Sequence, residues 1–245
     1  MEPTPQKQGI NLPTAIVIAA LLIAGAIVWN KPAQVIPGAQ QKAPENVLAP
    51  VTSEDHVLGN ENAQVFIVEY SDTACPFCKL FHVTMKKIME SYGKQGNVAW
   101  VYRHFPLDKP NAEGFILHPN AGREAQALEC AADIGGNEAF WTYTNRLYDI
   151  TPSVTSQSPQ GLDQTQLYKI AEFTGLDAAK FKTCLDSGKF KEKVEESYLE
   201  GVNAGVAGTP YSFIITRSGK KAPINGARSY NEVKAAIDAM LAQEN

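Results

Sequence analysis

Residues 65–89 restrict the fold of this chain more than any other stretch. An unbroken apolar run ending in an acid, Val65-Phe66-Ile67-Val68-Glu69-Tyr70, leads to Cys75-Pro76-Phe77-Cys78. Leu80-Phe81-His82-Val83-Thr84-Met85-Lys86-Lys87-Ile88-Met89 follows with helical spacing. The first run reads as a strand buried on both faces, and the second as a helix. Pro76 suits the first helical turn, where a missing N–H leaves no bond unmade. Two cysteines therefore lie at a strand-to-helix junction, the placement of a thiol–disulfide redox pair. Unpaired N–H groups and the helix dipole favour a thiolate there, which makes Cys75 the expected nucleophile. Cys78, one turn further, is placed to resolve a mixed disulfide.

Two plainer readings of the motif fare worse. A zinc site needs two more ligands at close spacing, and Cys130 and Cys184 stand alone with no histidine pair near them. A merely structural pair leaves the strand before it and the helix after it unexplained. His82, His104 and His118 read as packing or helix-capping residues, so no metal is expected.

Net charge is −4, which leaves no basic footprint for nucleic acid. Four cysteines in 245 residues do not make a disulfide-dense scaffold, although the even count suits an oxidising compartment. Between Lys7 and Lys31 there is no charge, and 12–29 is almost wholly apolar. Eighteen residues at ~1.5 Å each span roughly 27 Å, enough to cross a bilayer. Trp29 ends the run, where an interfacial aromatic belongs. A retained anchor is the expectation; a cleaved signal peptide is the alternative, since Ala24-Gly25-Ala26 resembles a cleavage site. Either one sends the rest of the chain out of the cytoplasm.

The expected organisation is a short tail (1–11), a transmembrane anchor (12–29) and a proline-rich linker (30–52), then a folded part. Within it, 53–110 reads as strand, helix and strand, with the second strand at 97–104 stopped by Pro106. Residues 111–205 read as helical, with separate helices at 120–134 and 138–149 broken by Gly135-Gly136, then 163–174, 177–186 and 190–203. Residues 206–245 return to strands at 211–216 and 221–224 and a last amphipathic helix at 230–242. This α/β order, βαβ, a helical block, then ββα, is a thioredoxin fold with an inserted all-helical domain.

From about residue 55 to 242 the chain resembles the DsbA-like thiol–disulfide oxidoreductases of the bacterial cell envelope. The pieces that carry the resemblance are Val57-Leu58-Gly59, 65–72 before the CPFC motif, and Arg103-His104-Phe105-Pro106-Leu107. Glu129-Cys130-Ala131-Ala132, Phe181-Lys182-Thr183-Cys184-Leu185 and Gly208-Thr209-Pro210 complete it. The resemblance implies Cys75 and Cys78 as the catalytic pair, and Pro210 as the cis-proline of a substrate groove. Pro76, Phe77 and Thr209 would line that groove, with the Thr209 backbone pairing with an extended substrate.

Glu69 reads first as an ordinary solvated carboxylate. In the resembled family an acid lies beneath the active site, and there it would hold a raised pKa and relay the proton of Cys78. Cys130 and Cys184 are expected to form a structural disulfide, with two free buried thiols or a second redox pair as alternatives. Closing about 55 residues would stabilise the fold by on the order of 4 kcal/mol.

The resulting expectation is a single-pass cell-membrane protein with its catalytic domain on the extracytoplasmic side. It would form disulfides in cysteine-containing exported proteins, without a bound cofactor, and be reoxidised by a quinone-linked membrane partner. Phe77 adds no charge between the cysteines, so a milder oxidant than a CPHC protein is expected. A thiol reductase or isomerase of the same fold is the rival reading. A tethered, non-redox peptide-binding or chaperone module is the lesser one.

Overall fold

The computed structural model describes residues 47–151 and 161–244. The anchor expected at 12–29 lies outside them, as does the linker as far as residue 46. Among the described residues no helix is long and apolar enough to cross a membrane.

Five strands form one sheet in the order β1-β3-β2-β4-β5. They are β1 (His56–Gly59), β2 (Val65–Ser71), β3 (Val98–His104), β4 (Tyr211–Thr216) and β5 (Lys221–Asn225). β2 runs parallel to β3, from Val65 opposite Val98 to Ser71 opposite His104, and antiparallel to β4. Helix α1 (Pro76–Ile88) connects the parallel pair, as two strands in the same direction require a crossover. The unbroken apolar run of β2 follows from its central place, because both faces are covered. Val65 and Ile67 enter one apolar cluster with Cys75, Cys78, Phe81, Met85 and Trp100. Val68 and Tyr70 enter another with Val101, Phe105 and Phe213.

Strand β1 was not expected as a strand. It pairs antiparallel with β3, His56 opposite Tyr102 to Gly59 opposite Ala99, and four residues are too few to show a period. Helix α1 is also shorter than its apolar pattern suggests. It gives way at Met89–Gly93 to a π-helical turn, at whose last residue a Cβ would displace the end of the Met89 side chain.

The inserted region holds α2 (Ala121–Ile150), α3 (Gln164–Phe173), α4 (Ala178–Ser187) and α5 (Lys191–Asn203). The two helices expected at 120–134 and 138–149 are halves of α2. Gly136 alone leaves helical geometry, at φ +70°, so the glycine pair kinks the helix without ending it. Asp163 and Asp177 cap α3 and α4 with their side chains. Cys130 of α2 and Cys184 of α4 are bonded, with S–S 2.04 Å and Cα–Cα 5.9 Å. Helix α6 (Tyr230–Leu241) starts with a capping box of Ser229 and Glu232 and packs Val233, Ile237 and Met240 into the first cluster.

Candidate active site

Cys75 is the N-cap residue of α1. Its backbone is extended (φ −75°, ψ 120°) and Pro76 takes the first helical turn. The Cys75 carbonyl accepts the Lys79 N–H at 3.1 Å, which starts the helical bonding and leaves the sulfur at the open N-terminal end. Cys78 lies one turn along, fully buried, and both cysteines are free thiols. Between them Phe77 is exposed, as are Leu80 and Val83 further along the helix.

The two sulfurs differ sharply in acidity. The Cys75 thiol is lowered to about 6. The Cys78 thiol is the largest cause, burial opposes it, and the Cys78 backbone and Thr209 add smaller stabilisation of the thiolate. Cys78 is held well above its ordinary value, first by burial, then by its hydrogen bond to Cys75 and the negative charge there. At neutral pH the reduced pair therefore carries its charge on Cys75 and its proton on Cys78.

The β4 end of the sheet meets Cys75 from the other side. The Thr209–Pro210 peptide is cis, and the Cys75 thiol donates to the Thr209 carbonyl at 3.6 Å. Pro210 is buried and Thr209 half-buried.

Glu69 lies on the same face of β2 as Val65 and Ile67, because side chains alternate along a strand. It faces the apolar cluster that holds both cysteines and is only 1 % exposed. Burial pushes its carboxyl up to about 7, against hydrogen bonding from Ser71 and Trp100. The Trp100 indole N–H donates to Oε2 at 2.9 Å, and Cys75 adds a smaller upward push. The Glu69 charge also adds a small upward push on Cys78, so ionising one of the two groups opposes ionising the other. The surface reading of Glu69 does not hold, since a residue at this register cannot reach water.

Two residues near the sulfurs have no site role in the sequence reading. Asp72 is buried in the turn before Cys75; its carbonyl accepts the Cys75 N–H at 3.1 Å and its own N–H reaches Cys78 Sγ at 3.5 Å. His118 donates from Nδ1 to Asp72 Oδ2 at 2.8 Å. The only sequence signal was His118 before Pro119 at the start of α2, which reads as local capping. The 46 residues that separate His118 from Asp72 hide the contact.

The other histidines are packing groups. His82 stacks on Tyr148 and bonds Asn145 at 2.8 Å, and burial lowers it to about 4. His104 and His56 converge on Glu129 Oε1 at 2.8 and 2.9 Å, and Lys193 takes Oε2 at 2.7 Å. Among the described residues no three His, Cys, Asp or Glu side chains are arranged to hold a metal ion.

The thioredoxin family model matches residues 51–239, which is most of the chain. The chain belongs to the thioredoxin family. Among curated proteins it is similar to a "Putative protein-disulfide oxidoreductase" of Rickettsia felis, 26% identical over 214 residues, covering 85% of this chain and 69% of that one. It is also similar to part of a Na(+)/H(+) antiporter, NhaA 3, of Salinispora tropica, 28% identical over 173 residues. That match covers 70% of this chain but only 23% of the antiporter, so the chain spans about a quarter of that relative's length. Among solved structures, Wolbachia pipientis alpha-DsbA1 superposes with a TM-score of 0.66 at 23% identity. It covers 81% of this chain and 96% of that one, so the fold is that of a DsbA protein. Site geometry and relatives together place the Cys75–Cys78 pair on a DsbA-like thioredoxin fold.

Proposed function

We propose that this protein is a membrane-tethered oxidase that introduces disulfides into exported proteins through Cys75 and Cys78. The observation that carries the reading is the split in acidity: a thiol lowered to about 6 on the helix N-terminus, over a buried thiol held well above its ordinary value. A stable thiolate is a good leaving group, and it makes the disulfide form the stronger oxidant.

In the forward direction a substrate thiolate attacks Cys75 Sγ of the oxidised pair. The Cys75–Cys78 bond breaks, and Cys78 leaves with the electron pair and takes a proton. Glu69, at about 7, is the group placed to hold that proton. A second substrate thiolate then attacks the substrate sulfur of the mixed disulfide. A substrate disulfide forms, and Cys75 departs as the thiolate its surroundings favour. An extended substrate pairing with the Thr209 backbone beside Pro210 would present its cysteine to Cys75, with Phe77 and Pro76 forming the near wall. No cofactor takes part in these steps.

The uncharged 12–29 segment supports a single-pass tether, with the catalytic domain on the extracytoplasmic side. Each turnover leaves a dithiol, so a membrane reoxidase, quinone-linked in the resembled family, is the partner required. The rival reductase reading uses the same residues with electrons flowing outward, and the isomerase reading uses them to reshuffle wrong pairs. A non-redox peptide-binding module would work without either sulfur.

The test is oxidation of a reduced, unfolded cysteine-containing protein by the oxidised full-length chain. The expected result is stoichiometric disulfide formation, lost completely in Cys75→Ser. A Cys75→Ser protein that keeps full function would refute the enzyme reading in favour of the peptide-binding module.

A further inference from the structure

Asp72 makes an unusual set of contacts for a residue so close to a thiolate. Its carboxylate is fully buried and takes three donors: the Ala74 N–H on Oδ1, and the Leu107 N–H and His118 Nδ1 on Oδ2, each at 2.8 Å. Its main chain meanwhile touches both active-site cysteines, at the Cys75 N–H and Cys78 Sγ. Three converging donors call for a carboxylate, because an amide would turn its own N–H₂ toward one of them. The cost is a negative charge beside a pair whose chemistry makes another. Asp72 acts on both sulfurs in the direction that opposes a thiolate.

Among the described residues His118 is the one ionisable group bonded to that carboxylate. It is itself buried, and its Nε2 has no hydrogen-bond partner among the described residues. We propose that His118, anchored on Asp72, is a further positioning residue of this redox centre: its positive charge offsets the Asp72 carboxylate and so sets how readily reduction leaves a thiolate on Cys75. The inference rests on Cys75 and Cys78 being a redox pair. Reducing their bond takes two electrons and one proton, leaving a thiolate at Cys75 and a thiol at Cys78. A cation kept beside Asp72 favours that product.

The surrounding charges bear this out. Burial alone would discharge His118, yet the hydrogen bond and charge of Asp72, with smaller contributions from Cys75 and Glu124, raise it above its ordinary value. Its charge therefore persists to higher pH than that of an ordinary imidazole and is lost as pH rises through the raised value. Three elements face the pair: the turn before α1 with Asp72 and Cys75, α2 with Glu124, and the segment after β3 with Asp108 and Lys109. Glu124 accepts from the Thr73 hydroxyl and the Leu162 N–H, and burial raises it to about 8. Asp108 feels the Asp72 charge, is raised mainly by burial, and pairs with Lys109 at 3.6 Å. Glu124 therefore holds its proton at neutral pH, which leaves His118 as the counter-charge bonded directly to Asp72.

A structural role for the pair is the competing account. The Asp72 carboxylate and His118 also pin the segment after β3, since Leu107 donates to Asp72 and accepts from the His118 N–H at 3.0 Å. Such a pin would affect stability alone. Electrostatic coupling must be reciprocal: if the Cys75 thiolate raises His118, the His118 charge lowers Cys75 by the same factor.

The experiment is an NMR titration of His118 in the unmodified full-length chain, once oxidised and once reduced. It is paired with the Cys75 thiolate absorbance of the wild type and of His118→Gln. Gln keeps an N–H for Asp72 and removes the charge. The expected result is a His118 pKa about one unit higher in the reduced form, the scale of a nearby opposite charge. The Gln variant should show Cys75 raised by a similar amount and a disulfide about tenfold easier to keep, roughly 30 mV more reducing. An identical His118 titration in the two redox forms would overturn the inference even if the Gln variant fails to fold. So would a folded Gln variant whose Cys75 titration is unmoved. A wild type that neither exchanges with glutathione nor titrates a thiolate below pH 8 would instead sink the redox reading, and the inference with it.

Discussion

The molecule contains two cysteine pairs whose fates are opposite. Cys130 and Cys184 are bonded across two helices, 54 residues apart in sequence, whereas Cys75 and Cys78 are free at one helix end. All four sulfurs lie in the same apolar cluster, so burial does not separate them. The polar frame does. Around Cys75 stand the open end of α1, the Thr209 carbonyl and, through the Asp72 turn, the Asp72–His118 pair, while Glu69 lies buried on the same face. The pair in the insert ties α2 to α4 by their apolar sides. A disulfide between well-ordered helices stabilises chiefly by restricting the unfolded chain. A pair at a helix N-terminus, with one sulfur favoured as a thiolate, is poised to open and close. Reactivity in this chain is a property of the surroundings of a cysteine rather than of its burial.

That contrast can be broken by exchanging the consequences of removal. Replacing both Cys130 and Cys184 by Ala should cost about 2–5 kcal/mol of stability, read from denaturant midpoints, and leave glutathione exchange at Cys75 intact. Loss of exchange in that folded variant would mean that the second pair takes part in electron transfer. The next largest effect is expected at Glu69. Glu69→Gln should slow protonation of Cys78, and with it disulfide opening, by about 10²-fold, and should remove any kinetic inflection near pH 7. The same change has a signed effect on stability. Glu69 binds its proton more tightly in the fold than in the unfolded chain, about 7 against 4.5. Its contribution is complete below about 4.5 and lost as pH rises through about 7, so the Gln variant should gain on the wild type at pH 8. Equal pH dependence of unfolding in the two proteins would place the Glu69 carboxyl in water.

Much of this frame can be read from the sequence because it rests on short-range rules. The CPFC junction, the cap Asp163 and the hairpin of β4 and β5 all announce themselves within a few residues. β1 escaped because its meaning lies in its pairing with β3, some 45 residues away. The kink in α2 was misread as an end, since Gly135-Gly136 carries the same signal whether the helix resumes or stops. Long-range contacts account for the rest of the site. Neither Asp72 nor His118 shows a local pattern, and only the folding of the segment after β3 onto the active-site turn joins them. Thr209–Pro210 would read as an ordinary turn without the resemblance that marked it.

The account stands most directly on the reduction potential of Cys75–Cys78 in the full-length chain, measured by equilibration with glutathione. A thiolate as favoured as that of Cys75 should give about −130 to −180 mV, the range of a disulfide donor milder than the strongest oxidants of this fold. A potential near −270 mV would mean that electrons leave Cys75 for substrate disulfides, and would contradict the oxidase.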